Sequence, residues 1–285
     1  MPDDAYRATR LREWDEAGKR YNKLSIGPLA DLMRQASDQI FNNVGLSSGD
    51  SVLDIATGHG SPALEALALV GPDGAVTGID SAPSMIAAAR RRTREAGIQN
   101  AQFFEMDAEA LDFPDNSFDV VISRYGYPHF TNAVLALKES HRVLRPNGRF
   151  AAAMHGALDH NPYFTAPLIA LSQFHSTPRP LTNRGPFAFH TPALLETAMT
   201  QAGFEDVKAY AHDTTIVIDD FKNYWDAQKA GGAAIRRALD AVPKDLRAEA
   251  EAAALASMET YVVENRGVFP AQIVVGVATK KTGAR

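Results

Sequence analysis

The chain has 285 residues, 45% of them apolar, with a formal net charge of −5; this is ordinary for a globular protein, too apolar for disorder, and long enough for one large domain or one domain carrying a sizeable insertion. There is no cysteine, which excludes disulfide frameworks, thiolate metal sites and cysteine nucleophiles. The longest basic run, Arg90-Arg91-Arg92, sits in an amphipathic helical pattern and reads as a solvated helix face, so no nucleic-acid partner is implied.

Residues 1–46 read as a helical cap, with helices over Tyr6–Lys19 and Leu29–Val44. Met1–Arg20 is charged throughout and lacks the apolar core of a signal peptide, and no stretch approaches the length of a membrane span, so a cytoplasmic protein without a membrane segment is expected. From 47 to 155 short apolar runs alternate with helical stretches. Ser51–Ile55, Ala75–Ile79, Ala101–Glu105 and Phe118–Ile122 read as buried strands, and Pro62–Val70, Ser84–Ala96 and Asn132–Leu144 as helices. Pro62 and Pro83 stand where a first helical turn tolerates proline, because that N–H has no intrahelical partner. Arg145-Pro-Asn-Gly148 is a turn signal leading into a strand over Arg149–Met154. Residues 156–190, rich in Pro, Phe, Tyr and His, predict a cover of loop and short helix. Residues 191–285 complete the core, with a helix over Pro192–Ala202, a strand from Phe204, a helical insertion around 219–266 and a last strand over Gln272–Thr279. Strands alternating with helices predict an α/β, doubly wound, mostly parallel sheet of seven strands.

The sharpest local signal is Val52-Leu-Asp-Ile-Ala-Thr-Gly-His-Gly60, a strand that ends in a glycine-bearing loop before a helix. Glycine there lets backbone approach a ligand with no Cβ in the way. Gly58-x-Gly60-x-x-Ala63 also fits a relaxed dinucleotide fingerprint, which keeps an NAD-dependent oxidoreductase in view. Asp54, four residues before Gly58, is expected to repel a pyrophosphate and to attract the sulfonium and ammonium charges of S-adenosylmethionine. Asp80 ends the second strand, where doubly wound folds present a carboxylate to ribose. An ordinary tight turn with a helix cap at Asp80 is the bland account of the same residues.

Asp54-x-Ala56-x-Gly58-x-Gly60 resembles the first motif of class I S-adenosylmethionine-dependent methyltransferases, with Ala56 in place of the usual first glycine. Gly78-Ile-Asp80-Ser81-Ala-Pro-Ser-Met85, the stretch from Met106-Asp107-Ala108-Glu109 to Phe118-Asp119, and Leu144-Arg-Pro-Asn-Gly148 resemble three further motifs, in order and at family spacing over roughly residues 45–155. Within that family the chain is similar to the ubiquinone/menaquinone-biosynthesis-type (methyltransferase type 11) branch. The resemblance implies a Rossmann-like sheet with an antiparallel last strand and S-adenosyl-L-methionine as cofactor. It implies that Asp54, Ala56, Gly58 and Gly60 bracket the methionine end, that Asp80 with Ser81 takes the ribose, and that Met85 packs near adenine. Asp107 and Ala108 would meet the adenine edge, Ser123 would border the donor, and Trp14 and Tyr21 would close over it.

Methyl transfer is an in-line displacement, so the protein supplies proximity and alignment, and a base only if the nucleophile carries a proton. Ser123-Arg-Tyr-Gly-Tyr-Pro-His-Phe130 follows the fourth strand at the ligand-binding edge, which nominates His129 as base and Tyr125 or Tyr127 to orient an acceptor. His155, past the fifth strand, is the second candidate. His155, Asp159 and His160 have no spacing that makes them converge on a metal, and none is expected. Tyr163, Phe164, Phe174, Phe187 and Phe189 suggest either an apolar acceptor pocket or plain packing of the cover. Arg124 and Arg184 are candidate anchors for an acidic acceptor, with solvated surface arginines as the competing account. The expected partner is a small-molecule acceptor methylated at carbon or oxygen, with a homodimer left open. A protein that uses the cofactor structurally, as a cyclase or a sensor, is the other rival.

Overall fold

The computed structural model describes residues 2–21, 30–175, 185–231 and 233–281. In chain order the elements are α1 (Pro2–Tyr21), α2 (Ala30–Val44), β1 (Ser51–Ile55), α3 (Ser61–Val70), β2 (Ala75–Asp80), α4 (Pro83–Glu95), β3 (Ala101–Glu105), β4 (Phe118–Arg124), α5 (Ala133–Val143) and β5 (Leu144–His155). There follow α6 (Pro162–Ser172), α7 (Pro192–Gln201), β6 (Glu205–Ile218), α8 (Phe221–Gly231), α9 (Ala233–Asp240), α10 (Arg247–Ala256), the two-residue β7 (Val262–Val263) and β8 (Arg266–Thr279).

Seven strands form one path, β3-β2-β1-β4-β5-β8-β6, and β7 adds a short eighth beside β8. β1 to β5 pair in parallel, and β8 runs antiparallel to both neighbours. The last strand of the chain is thus inserted between β5 and β6. Because successive strand residues face opposite sides, the sheet feeds two cores. Val52, Val120 and Ile122 pack with α2, α3 and α4 on one face. Leu53, Ile55 and Val121 pack with α5 and α7 on the other. The first core runs on past the sheet into α6, α8, α9 and α10, through Tyr163, Tyr224, Trp225, Ile235 and Ala254.

Local chemistry explains the boundaries. Pro62 and Pro83 occupy the first turns of α3 and α4. Asn132 caps α5, its side chain accepting the Leu135 N–H at 3.0 Å. Three boundaries differ from the sequence pattern. The Arg145–Gly148 signal does not separate helix from strand; it is an irregularity inside β5, where the register jumps between Phe118 and Val120 and Asn147 adopts φ 63°. β8 begins at Arg266, six residues before the expected start, and runs through Pro270. β5 pairs β8 only from Ile273 onward, so Pro270 has β6 alone beside it and its missing N–H breaks no central ladder. The helical insertion is divided into α8, α9 and α10, with Pro243 between the last two.

Candidate active site

A cavity of about 480 Å³ lies at the carboxyl ends of β1, β2 and β4, roofed by α1, α6, α8 and α9. Its floor is the β1–α3 loop. Ala56, Gly58 and Gly60 all have positive φ, at 57°, 57° and 85°. Ala56 therefore holds a left-handed conformation that glycine adopts more cheaply, and its methyl fits because residue 126 is also glycine. A Cβ on Gly126 would come 2.7 Å from that of Ala56 and 2.6 Å from Ser123 Oγ. At Gly58 an added Cβ meets only the Met85 sulfur, at 4.0 Å, and would project into the cavity space.

Asp80 at the tip of β2 fastens this loop to the next. Its carboxylate accepts the Gly58 N–H at 3.0 Å and the Ala82 N–H at 2.9 Å while still lining the cavity. Burial pushes its carboxyl up to about 6, against the lowering effect of those two amides. Ser81, Met85, Met106, Asp107 and Ala108 complete this half of the wall. Asp107 and Glu109 are both taken by Arg7 of α1, at 2.5 and 2.6 Å, and Glu109 also accepts the N–H groups of Thr131 and Asn132. Asp15 of α1 accepts the Ser84 N–H at 2.9 Å, so α1 is tied down at two points along its length.

The opposite half of the cavity is aromatic. Tyr125 stacks on His155 with ring centroids 4.3 Å apart, Phe164 stacks on the same histidine at 5.7 Å, and Trp14 meets His129 edge-on at 5.1 Å. Tyr125 holds φ 61°, a strained backbone for a bulky residue at the site. Burial, aided by the nearby Arg10, His155 and Arg237, pushes His129 down to about 3, and burial pushes His155 down to about 4. Both rings are neutral at physiological pH. The Nδ1 of His129 is buried and, among the described residues, has no hydrogen-bond partner. Tyr163 Oη stands 3.4 Å from His155 Nδ1.

A methyltransferase domain profile matches residues 46–215, more than half of the chain. The chain is 32% identical over 182 residues to aklanonic acid methyltransferase DauC of Streptomyces sp. (strain C5), covering 64% of this chain and 76% of that protein. This chain is a class I methyltransferase. It is 44% identical over 106 residues to the ubiquinone/menaquinone biosynthesis C-methyltransferase UbiE of Hahella chejuensis (strain KCTC 2396), covering 37% of this chain and 43% of that protein, so the match spans under half of that relative. The YcgJ protein from Bacillus subtilis shares the fold, with a TM-score of 0.58 and 23% identity over 88% of this chain and 100% of that one.

The methyltransferase places most of the expected residues on one wall. Ala56, Gly58, Asp80, Ser81, Met85, Asp107, Ala108, Tyr125, His129 and His155 line the cavity, as does Trp14. Three do not reach it. Asp54 is fully buried beneath the loop, one oxygen accepting Thr57 Oγ1 at 2.6 Å and the other without a partner, and burial pushes its carboxyl up to about 7. Asp54 therefore stands under the loop rather than on the cavity wall, its carboxylate bonded to Thr57. Gly60 lies behind the floor, where a Cβ would crowd Phe103 and Ala89 at 3.0–3.1 Å. Ser123 is buried and donates to the Ile55 carbonyl at 2.8 Å. The side chains of Tyr21 and Arg184 lie outside the described residues.

The aromatic cover resolves mainly into packing. Phe164 lines the cavity, whereas Phe174, Phe187 and Phe189 pack against cores or other rings and Tyr127 is buried against Ser140. His175 and His190 are bonded to backbone carbonyls. His160 turns away from His155 to Gln272, and among the described residues no three metal-ligating side chains cluster. Arg124 is not a solvated surface arginine: its guanidinium donates to Met33 O at 3.0 Å and Ser37 Oγ at 2.8 Å, and it lines the cavity. Sequence reasoning missed Arg7, Arg10, Glu13, Tyr224, Gln228 and Arg237, all on the wall. They sit on helices with no local motif, and only the packing of α1, α8 and α9 over the sheet edge brings them in. Among the described residues no helix is long and apolar enough to cross a membrane.

Proposed function

We propose that this methyltransferase binds S-adenosylmethionine along the β1–β2–β3 edge and transfers its methyl group to a small apolar or aromatic acceptor held under α1, α6, α8 and α9. The observation that carries this reading is one continuous cavity joining two unlike walls, a glycine floor beside a strand-tip carboxylate and a stacked aromatic pair with a neutral histidine. When bound, the cofactor supplies a methyl carbon already activated on a sulfonium.

The protein's own residues then have distinct tasks. Gly58 leaves room where a Cβ would stand. Asp80, with lone pairs left over from Gly58 and Ala82, takes the ribose hydroxyls. Asp107 and Ala108 border the adenine, and Arg7 holds Asp107 and Glu109 in place from α1. Tyr125 and His155 offer a flat stacked face to acceptor rings. His129 stays neutral, so it can accept a hydrogen bond from an acceptor that carries a proton. Its low basicity suits orientation better than full proton removal in the resting site.

Titration calorimetry with S-adenosylhomocysteine and with NAD tests the donor. Binding of the first and not the second is expected, and the reverse would end this reading. Use of the cofactor as a structural group is separated by mass spectrometry of reaction mixtures, in which conversion of donor to S-adenosylhomocysteine must accompany a methylated acceptor.

A further inference from the structure

One charge arrangement on the cavity wall has no task in handling the methyl donor. Arg10 of α1 and Arg237 of α9 both form ion pairs with a single carboxylate, that of Glu13. All three side chains line the cavity. They are partly withdrawn from water, with 19%, 41% and 24% of each side chain exposed, so solvent screens them incompletely. Two guanidinium groups on one carboxylate leave one positive charge unbalanced. Among the described residues Arg10 Nε is also buried with no hydrogen-bond partner, which leaves a donor on this group.

The cavity as a whole is polarised. At the donor end, three lining carboxylates (Asp80, Asp107 and Glu109) face one cation, Arg7. At the other end, among the described residues, three cations (Arg10, Arg124 and Arg237) face one lining carboxylate, Glu13, with Glu65 3.8 Å from Arg124 and Asp54 within the field of Arg124 behind the wall. The rest of that end is apolar or aromatic: Met33, Tyr125, Phe164 and Tyr224. His129 lies within the field of Arg10 and Arg237, so these charges act near the candidate site of chemistry.

We propose that the acceptor is a ring-bearing carboxylate, its carboxylate held by Arg10 and Arg237 and its rings lying against Tyr125, Phe164 and Tyr224. A planar carboxylate matches the fork of guanidinium N–H donors, and its single charge balances the single excess cation. The proposal rests on the methyl-transfer reading above and narrows its acceptor to an acid.

The test uses the full chain loaded with S-adenosylhomocysteine and two probes of equal shape, 2-naphthoate and 2-naphthamide, titrated by calorimetry. The acid is expected to bind at least about tenfold more tightly than the amide. Arg237→Gln and, separately, Arg10→Gln should abolish that preference while leaving S-adenosylhomocysteine affinity within about twofold, and Arg10→Lys should restore part of it. Glu13→Gln should move the other way and strengthen 2-naphthoate, because it removes the competing anion; a merely structural role for Glu13 would weaken both probes. Equal binding of acid and amide, binding of neither, or a preference that survives both arginine substitutions overturns the proposal. Failure of S-adenosylhomocysteine itself to bind is a different result: it overturns the donor reading on which the proposal stands.

Discussion

The two halves of the cavity are built by different means. The proposed donor half comes from consecutive loops at the tips of β1, β2 and β3, and it is shaped by backbone: left-handed residues at 56 and 58, and amides gathered on Asp80. The proposed acceptor half comes from α1, β4, β5, α6, α8 and α9, whose side chains meet from opposite ends of the chain, as when Arg237 reaches Glu13. A loop whose shape is set by positive φ angles tolerates few substitutions. A wall assembled from helix faces can change one side chain at a time. This is a physical reason why one donor site can serve many acceptors on the same fold.

If the halves are separable, the largest effect should fall on the donor alone. Asp80→Ala removes the carboxylate that gathers the Gly58 and Ala82 amides and that is proposed to take the ribose. Hydrogen bonds to a charged group contribute about 1.5–3 kcal/mol each, so loss of two should weaken S-adenosylhomocysteine by about 100-fold or more. Calorimetry measures this, and unchanged affinity would contradict the ribose role. His129→Ala should show the converse. Turnover should fall about 100-fold, the low end of the range for a positioned proton partner, with donor affinity unchanged. Because His129 is already neutral, the wild-type rate between about pH 5 and 8 should show no inflection from it. Full activity of the variant would remove His129 from the reaction.

Acid sharpens the contrast further. Asp80 is raised to about 6 in the folded protein, so donor affinity should weaken as pH falls through that value and the carboxylate takes up a proton. For stability the sign is opposite. Asp54 and Asp80 bind protons more tightly folded than unfolded, so between about pH 4 and 7 their ionisation costs stability as pH rises. His129 and His155, lowered to about 3 and 4, bind protons less tightly when folded, and their contribution is lost as pH falls below about 6.5. Asp54→Asn keeps an oxygen for Thr57 and should make the protein more stable at pH 8 than the wild type; equal melting curves at pH 8 would show that burial does not strain this carboxylate. The smallest effect belongs to the seam between the halves. The Arg7 guanidinium is about half exposed, and such pairs are worth about 0–1 kcal/mol, so Arg7→Ala should change donor affinity less than about fivefold. Faster proteolysis of α1 in that variant would confirm that the pair anchors the helix.

Much of this was legible before any coordinates. Pro62, Pro83 and Asn132 marked helix starts, short apolar runs marked strands, and residues between Ala56 and Ala108 marked one wall of the cavity, because loops between neighbouring parallel strands are local in sequence. The extent of β8 was hidden by Pro270, which is harmless only because β5 has ended beside it. The position of Asp54 was hidden as well: its spacing is that of a ligand contact, yet its carboxylate turns inward to Thr57.

The amino-acid order by itself determined the alternation of strand and helix, the left-handed floor at Gly58 and the acid at the tip of β2, since each depends on neighbours a few residues apart. Only the tertiary structure decided which helix side chains line the cavity, that Arg124 is tied to Ser37 of α2, and that Glu13 is shared by Arg10 and Arg237. The Glu13–Arg237 pair joins helices more than 200 residues apart, and no periodicity or motif encodes which face of one helix will meet which face of another until both are packed on the same sheet edge.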